Sequence, residues 1–256
     1  MAHVRGADIF AGIKQTAIMI STGPVEVPVL YRDGSMLVIG YRTDPVPVQS
    51  ILHGLPIDPF LILGRALVLL VLAEYRDTSI GAYNEIGILI LVRRAGTEPS
   101  LWGIFRDVRK IEDVGLYVTN LPVTTQVALT GGIEVYGFPK YAAEIETSFQ
   151  PHGVQVTLKN EFVLSHSPGF GLEMDGLPII TYTLLKNMLI RTIIEVGHRV
   201  RFGGASTVQM RIIGDGPTAA TAKGLGLDVV RPAFAFRTDA MKAVLPLGKN
   251  LGPAES

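Results

Sequence analysis

The pattern of apolar and polar positions along the chain predicts a protein built mainly from β-strands. Six segments are rich in β-branched and aromatic residues and are mostly bounded by Gly, Pro, Asn or Asp: 35–42, 66–75, 85–94, 153–160, 207–213 and 230–238. Residues 154–160 alternate between apolar and polar side chains, as a half-buried strand does. Residues 66–73 are continuously apolar, which is expected of a strand covered on both faces.

Helix signals are fewer and shorter. They occur in three segments: 43–54, 120–132 and 216–226. The first has Thr43 or Asp44 as N-cap and Pro45 in its first turn, and the second offers Asn120 as N-cap and ends in a glycine pair. Residues 181–197 fit either a strand or a helix, and their Thr and Ile content favours a strand.

The chain is predicted to form one domain over residues 1–256, because it contains no internal repeat and no low-complexity linker. Short helices are expected at the rim of this β-rich domain. The C-terminal residues 248–256 are expected to be a frayed tail.

Composition excludes several classes of partner and chemistry. The formal net charge is zero and no long run of Lys or Arg occurs, so neither nucleic acid nor an anionic membrane is expected as partner. The apolar run 66–73 is too short to span a bilayer, which needs about 20 residues. The absence of cysteine excludes disulfides, thiol nucleophiles and thiolate metal sites, and agrees with a cytoplasmic location. A charged fraction of 18% favours either buried subunit interfaces in a homo-oligomer or a large, well-filled core.

Familiar catalytic motifs are missing from the sequence. The spacing of the five histidines matches no metal-binding pattern, so no metal site is predicted. Two glycine-containing segments, 201–207 and 222–228, match no phosphate-binding motif and are expected to be turns. Ser165 and His166 are neighbours that would point to opposite faces of a strand, so a serine hydrolase is not expected.

One lysine stands out because its surroundings are apolar. Between Val114 and Ala143 the only charged residues are Glu134 and Lys140. Pro139 restrains the backbone just before the lysine. A lysine buried in apolar surroundings has a lowered pKa, and its neutral amine can attack a ketone to form a Schiff base. The alternative is a lysine whose stem lies along an apolar surface while its ammonium reaches water.

The residues around Lys140 resemble the lysine motif of the acetoacetate decarboxylase family. The segment with this motif is 133–146 (IEVYGFPKYAAEIE). Other segments are also similar and occur in the same order: 37–52 (LVIGYRTDPVPVQSIL), 76–90 (RDTSIGAYNEIGILI) and, more weakly, 236–246 (FRTDAMKAVLP). Together the similar segments span roughly residues 25 to 246. This family is itself the standard example of a lysine activated by an apolar pocket or a nearby cation. The resemblance implies a mainly β, closed or cone-like antiparallel barrel with a few short peripheral helices.

The resemblance also implies roles for individual residues. Lys140 matches the Schiff-base nucleophile, and Glu85 matches a glutamate that handles protons in the pocket. Arg32 lies near the place of the arginine that binds the substrate carboxylate, although its spacing to the next motif is about two residues longer here. The alternatives are an exposed strand-edge carboxylate for Glu85 and an ordinary loop arginine for Arg32.

Two departures from the family pattern change the expected charges of the pocket. The family has a second lysine directly after the nucleophile, where this chain has Tyr141. A second acidic residue of the family is replaced here by an apolar residue near Val71, and Glu74 is the nearest acid. Tyr136 or Tyr141 could offer a hydroxyl to the substrate, or both could be packing aromatics.

The sequence therefore predicts a lyase that forms an imine at Lys140 with a small oxo acid. Decarboxylation of a β-keto acid such as acetoacetate is the simplest reaction. The alternatives are an aldolase or dehydratase that uses a pyruvate-type Schiff base, and a non-catalytic binding protein of the same fold. The resemblance implies no metal, flavin or nicotinamide cofactor, and it implies a homo-oligomer.

Overall fold

The computed structural model describes residues 8–99, 113–167 and 171–254. Within these ranges β-strands dominate. The strands are β1 (Thr16–Ile20), β2 (Gly23–Val27), β3 (Val29–Thr43), β4 (Ile57–Pro59), β5 (Leu61–Ile62), β6 (Arg65–Thr78), β7 (Tyr83–Arg94), β8 (Val114–Val123), β9 (Lys140–Ala142), β10 (Ile145–Gln150), β11 (Gly153–Leu158), β12 (Phe162–His166), β13 (Leu172–Asp175), β14 (Ile179–Leu185), β15 (Met188–Val196), β16 (Arg199–Gly203), β17 (Gln209–Ile212), β18 (Phe234–Thr238), β19 (Ala243–Leu245) and β20 (Lys249–Pro253). The helices are α1 (Pro45–Leu52), α2 (Gln126–Tyr136) and α3 (Pro217–Gly224).

Seven strands form a closed barrel. Around the ring the order is β3, β19, β15, β14, β8, β7 and β6, and β6 pairs back to β3. Neighbouring strands in the ring are antiparallel except β8 and β14, which are parallel. The predicted β-rich barrel with short peripheral helices is thereby confirmed.

A second sheet covers part of the barrel wall from outside. It contains β10, β11, β12 and β17. The apolar side chains of this sheet pack against the outward side chains of β3, β6 and β7, and together they form one buried hydrophobic cluster. On β6 the outward set is Val68, Leu70 and Leu72, all fully buried, while Leu69 and Val71 face the barrel interior. Burial on both faces explains why this segment reads as continuously apolar.

The predicted helix at 120–132 is wrong at both ends. Residues 120–123 complete β8, where they pair with β7 and β9, and this long-range pairing cannot be read from local propensity. Helix α2 begins after Thr125 and continues through the glycine pair to Tyr136. It ends at Gly137, whose φ of 66° is the left-handed conformation that favours glycine.

The other boundary predictions hold more closely. Helix α1 lies inside the predicted 43–54, and the Asp44 carboxylate caps it by accepting a hydrogen bond from the Val46 N–H at 2.8 Å. Helix α3 lies inside 216–226. The segment 181–197 is extended as predicted, but it belongs to two strands, β14 and β15, which meet at a turn in which Lys186 and Asn187 have positive φ.

The C-terminal residues differ from the expected frayed tail. Residues 249–253 form β20, which pairs with β15. The backbone hydrogen bonds of this pairing fix a segment that looked mobile from its composition. No helix among the described residues has both the length and the hydropathy needed to cross a membrane.

Candidate active site

Lys140 is the first residue of β9 and follows a tightly fixed turn. The chain leaves α2 at Gly137, where an added Cβ would lie 2.3 Å from the Leu184 carbonyl oxygen. It then passes Phe138 and Pro139, and β9 pairs in parallel with β8. Because both ends of this turn are held by backbone contacts, the lysine side chain enters the barrel from one defined position.

Lys140 and Glu85 form a buried ion pair inside the barrel. The Lys140 Nζ lies 2.7 Å from Glu85 Oε2, and the two side chains are only 5% and 14% exposed. Glu85 is on β7, opposite Ala73 of β6. The hydroxyl of Tyr75 donates to the other oxygen of Glu85, Oε1, at 3.2 Å. The carboxylate is thus close enough to exchange a proton directly with the amine.

Three buried tyrosines wall this end of the barrel. The ring of Tyr75 lies 4.7 Å, centroid to centroid, from the rings of both Tyr31 and Tyr83. The hydroxyls of Tyr31 and Tyr83 are 3.0 Å apart. Burial, and next the negative charge of Glu85, raise the pKa of each of the three hydroxyls well above its ordinary value. The tyrosines therefore stay neutral and can donate hydrogen bonds.

Aromatic rings and a glycine fix the position of the lysine side chain. The Lys140 Nζ lies 5.5 Å from the centroid of the Tyr83 ring and 5.7 Å from that of Phe138. Gly132 of α2 borders the lysine stem, and an added Cβ there would lie 2.4 Å from Cδ and 2.5 Å from Cε. The lysine occupies its position because residue 132 has no side chain.

A cavity of about 160 Å³ lies beside the ion pair. Apart from Lys140, Glu85 and the tyrosines Tyr31 and Tyr75, the lining side chains are apolar, with one further polar group, Thr181. The apolar lining consists of Met36, Val38, Leu69, Val71, Leu89, Leu116, Val118, Leu121, Phe138, Ile179, Ile194, Met241 and Leu245. The hydroxyl of Thr181 is buried and has no hydrogen-bond partner.

Arg32 and Glu74 lie away from this cavity. The side chain of Arg32 is 41% exposed, and its Nη1 lies 3.4 Å from Asp77 Oδ1. It points outward because side chains alternate along β3 and the interior position belongs to the preceding residue, Tyr31. Glu74 follows the same rule on β6 and accepts a hydrogen bond from Thr147 of the second sheet at 3.1 Å. This geometry does not support their predicted roles in substrate binding.

Tyr136 and Tyr141 have structural hydrogen bonds instead. The Tyr136 hydroxyl donates to the Leu245 carbonyl at 3.2 Å, next to a void of about 20 Å³ that also touches Lys140. Tyr141 faces the opposite side of β9, where its hydroxyl donates to Glu161 at 2.7 Å and lies 2.6 Å from the Thr218 hydroxyl. Neither hydroxyl lines the 160 Å³ cavity.

Two site residues that the sequence reading missed had a usable signal. Tyr75 lies four residues after Val71, and Tyr83 lies two residues before Glu85. Because side chains in a strand alternate with a period of two residues, each tyrosine is expected on the same interior face as its reference residue. Thr181 had no such signal, because its position depends on the pairing of β14 with β8.

A primary amine, a carboxylate and an apolar cavity form a site suited to imine chemistry. The amine can attack a carbonyl carbon, and the carboxylate can move the protons that the attack and the loss of water require. The mainly apolar lining of the cavity disfavours water beside a bound intermediate.

Comparisons with known proteins agree with this architecture. A family model described as acetoacetate decarboxylase (ADC) matches residues 16–163, which include both Lys140 and Glu85. No curated protein matches the chain.

Solved structures with a similar fold have low sequence identity to the chain. The acetoacetate decarboxylase of Legionella pneumophila subsp. pneumophila str. Philadelphia 1 is 16% identical, with a TM-score of 0.62 and 88% of each chain covered. The enduracididine biosynthesis enzyme MppR, in complex with the condensation product of pyruvate and imidazole 4-carboxaldehyde, is 13% identical, with a TM-score of 0.62 and coverage of 88% of this chain and 90% of that one. At these identities the structures show a shared fold. The family match spans more than half of the sequence, and the chain belongs to the acetoacetate decarboxylase family.

Proposed function

We propose that the protein is an imine-forming carbon–carbon lyase that decarboxylates a β-keto acid at Lys140. The observation that carries the proposal is the buried Lys140–Glu85 pair beside an apolar cavity. Membership of the acetoacetate decarboxylase family supports it.

The proposed reaction begins with proton transfer from the Lys140 ammonium to Glu85. The neutral amine attacks the ketone carbon, and Glu85 returns the proton as the carbinolamine loses water to give an iminium ion. The bond between the α-carbon and the carboxylate then breaks, CO₂ leaves, and the electron pair forms an enamine. Glu85, again a carboxylate, takes up a proton from solvent and delivers it to the enamine carbon, which gives an iminium ion; water hydrolyses this iminium to release the ketone and restore the Lys140 ammonium.

Aldol or dehydratase chemistry is the second candidate. It uses the same imine, and Glu85 can take a proton from the carbon next to it. One observation favours it: the chain shares its fold with MppR, whose structure carries a condensation product of pyruvate and imidazole 4-carboxaldehyde.

Borohydride trapping tests the proposal. The protein is reduced in the presence of acetoacetate and, separately, of pyruvate, and the modified residue is located by intact mass and peptide mapping. We expect an adduct on Lys140, none in Lys140→Ala, and CO₂ release from acetoacetate. An adduct with pyruvate without CO₂ release from acetoacetate would favour the aldolase. No adduct with either would favour a binding protein.

Some expectations from the sequence stay predictions. These are the homo-oligomeric state, the cytoplasmic location, the single domain and the absence of nucleic-acid and membrane partners.

A further inference from the structure

The cavity extends from the lysine toward Thr181 along the interior of the barrel. On β8, Leu121 is the register partner of Lys140 and Leu116 is the partner of Thr181. A bulge in β8 matches these five residues with four of β7, so the Cα atoms of Lys140 and Thr181 lie about 13 Å apart along the strand direction. Since both residues line one cavity, a bound molecule can begin at the amine and extend toward Thr181.

The charges in the described lining limit what such a molecule can carry. Lys140 and Glu85 are the charged residues there, and they already pair with each other. Arg32 pairs with Asp77 outside the cavity. A second charged group on the substrate would be buried without a partner at a large energetic cost. Apart from the carboxylate that the reaction removes, the substrate should therefore be uncharged.

The size of the cavity indicates how long the uncharged part is. An apolar cavity of about 150 Å³ accommodates a six-carbon molecule such as benzene, and this one measures about 160 Å³. Acetone, the ketone formed from acetoacetate, would leave the part toward Thr181 empty. We propose that the preferred substrate is a β-keto acid with an unbranched apolar chain of about five carbons beyond the ketone. This inference rests on the proposed function and specifies its substrate class.

Thr181 lies in the part of the cavity distant from Lys140, which Ile179 and its register partner Ile194 also line. Its hydroxyl has no hydrogen-bond partner, so replacing it with an apolar side chain leaves no protein group unpaired. Thr181→Met should shorten the cavity, whereas Thr181→Val keeps its length and removes only the hydroxyl. The two variants form a matched pair that separates chain length from hydrogen bonding.

The experiment measures borohydride trapping of methyl ketones, the expected products, from acetone to 2-undecanone. Each buried methylene should strengthen binding about fourfold. The ketone concentration for half-maximal trapping should therefore fall on the order of 100-fold between acetone and 2-heptanone, and should rise again for 2-undecanone. In Thr181→Met the best ketone should be about two carbons shorter, and in Thr181→Val it should be the same as in the parent protein.

A parallel series of 2-alkanols separates this inference from the proposed function. These alcohols have the same skeletons but form no imine, so their effect on the melting temperature reports only how the chain fits. Equal trapping of all ketones, or preference for acetone, would overturn the inference while leaving imine formation established. Failure of every ketone to trap, with a maximum at 2-heptanol among the alcohols, would overturn the proposed chemistry and retain the apolar chain site. A flat response in both series would overturn both.

Discussion

At the scale of single residues, Gly132 controls the position of the lysine. We expect Gly132→Ala to reduce the rate of imine trapping about 100-fold, because the new methyl group would displace Cδ and Cε of Lys140. The end of a lysine side chain can move, so the free energy of unfolding should change by no more than about 1 kcal/mol. Borohydride trapping and urea unfolding measure the two effects.

Gly131 provides the matched control for this prediction. It precedes Gly132 in α2, and a Cβ there would make ordinary contacts of 3.8 Å with Ile20 and 3.9 Å with Val25. Gly131→Ala should leave trapping unchanged. An equal loss of trapping in both variants would mean that helix geometry, and not the space for the lysine, is what matters.

Glu85 and Glu74 provide a second matched pair. Glu85→Gln keeps the shape of the side chain and removes its ability to exchange protons, so we expect decarboxylation to slow by a factor of about 10² to 10⁴. Glu74→Gln should leave the rate unchanged, because Glu74 faces the second sheet. Steady-state CO₂ release checks both variants, after circular dichroism has verified their folds. A similar loss in both would contradict the assignment of Glu85 as the proton carrier.

The sequence predicts the reactive residues of the site better than the residues that line its cavity. The resemblance predicts Lys140 as the nucleophile and Glu85 as a proton-handling residue of the pocket, and in the structure their side chains are in contact. Arg32 was assigned by proximity to a motif, but strand alternation turns it outward. The shape of the cavity depends on residues from strands far apart in the sequence, and no local pattern brings those together.

At the scale of elements, the three-residue strand β9 separates two environments. Lys140 faces the barrel interior, and Tyr141 faces Glu161 and Thr218. We expect Tyr141→Phe to lower the free energy of unfolding by about 1–3 kcal/mol, because the buried carboxylate of Glu161 loses one of its donors. Imine trapping should be unchanged, which urea unfolding and borohydride reduction together test.

Tyr141→Lys tests the expectation from the sequence that position 141 is where the family has a second lysine. The new side chain would lie on the face of β9 that points away from the cavity. We expect no increase in the decarboxylation rate and a loss of stability at least as large as in Tyr141→Phe, because an ammonium would replace a packed ring. A faster enzyme would show that the residue at 141 influences the amine after all.

Segments rich in β-branched and aromatic residues were the most predictable from sequence. The segments 35–42, 66–75 and 85–94 lie wholly within the ring strands β3, β6 and β7. The segments 120–132 and 248–256 were misread because the partner that fixes each conformation is distant in sequence: β7 for the first, β15 for the second. Local propensity carries no information about such partners.

At the scale of the whole molecule, the buried tyrosines predict instability in alkali. The pKa values of Tyr31, Tyr75 and Tyr83 are raised by burial above the ordinary value of 10.0. Between the ordinary and the raised values the unfolded chain has lost protons that the folded protein keeps. The free energy of unfolding should therefore be unaffected by these groups below about pH 10 and should fall above it, by up to about 1.4 kcal/mol per pH unit for each tyrosine.

Urea unfolding from pH 8 to pH 11.5 measures this slope. Tyr75→Phe removes one of the three ionisations. Above pH 10 the slope of the free energy of unfolding against pH should therefore be less steep, by the contribution of one proton, whatever the variant does to stability at pH 8. A free energy of unfolding that stays constant above pH 10 would contradict the burial of these hydroxyls.

The closure of the ring by β19 has a consequence for how the protein folds. Ala243 and Tyr31 are register partners although they lie more than 200 residues apart in the sequence. Proteins dominated by such distant pairings fold slowly, on the scale of milliseconds to seconds or longer. During synthesis the edges of β3 and β15 that pair with β19 stay unpaired until β19 has been made, and unpaired strand edges can associate with other chains. The cavity beside Lys140 is therefore one of the last parts of the molecule to form, and a nascent chain that ends before residue 243 should be unable to bind a substrate.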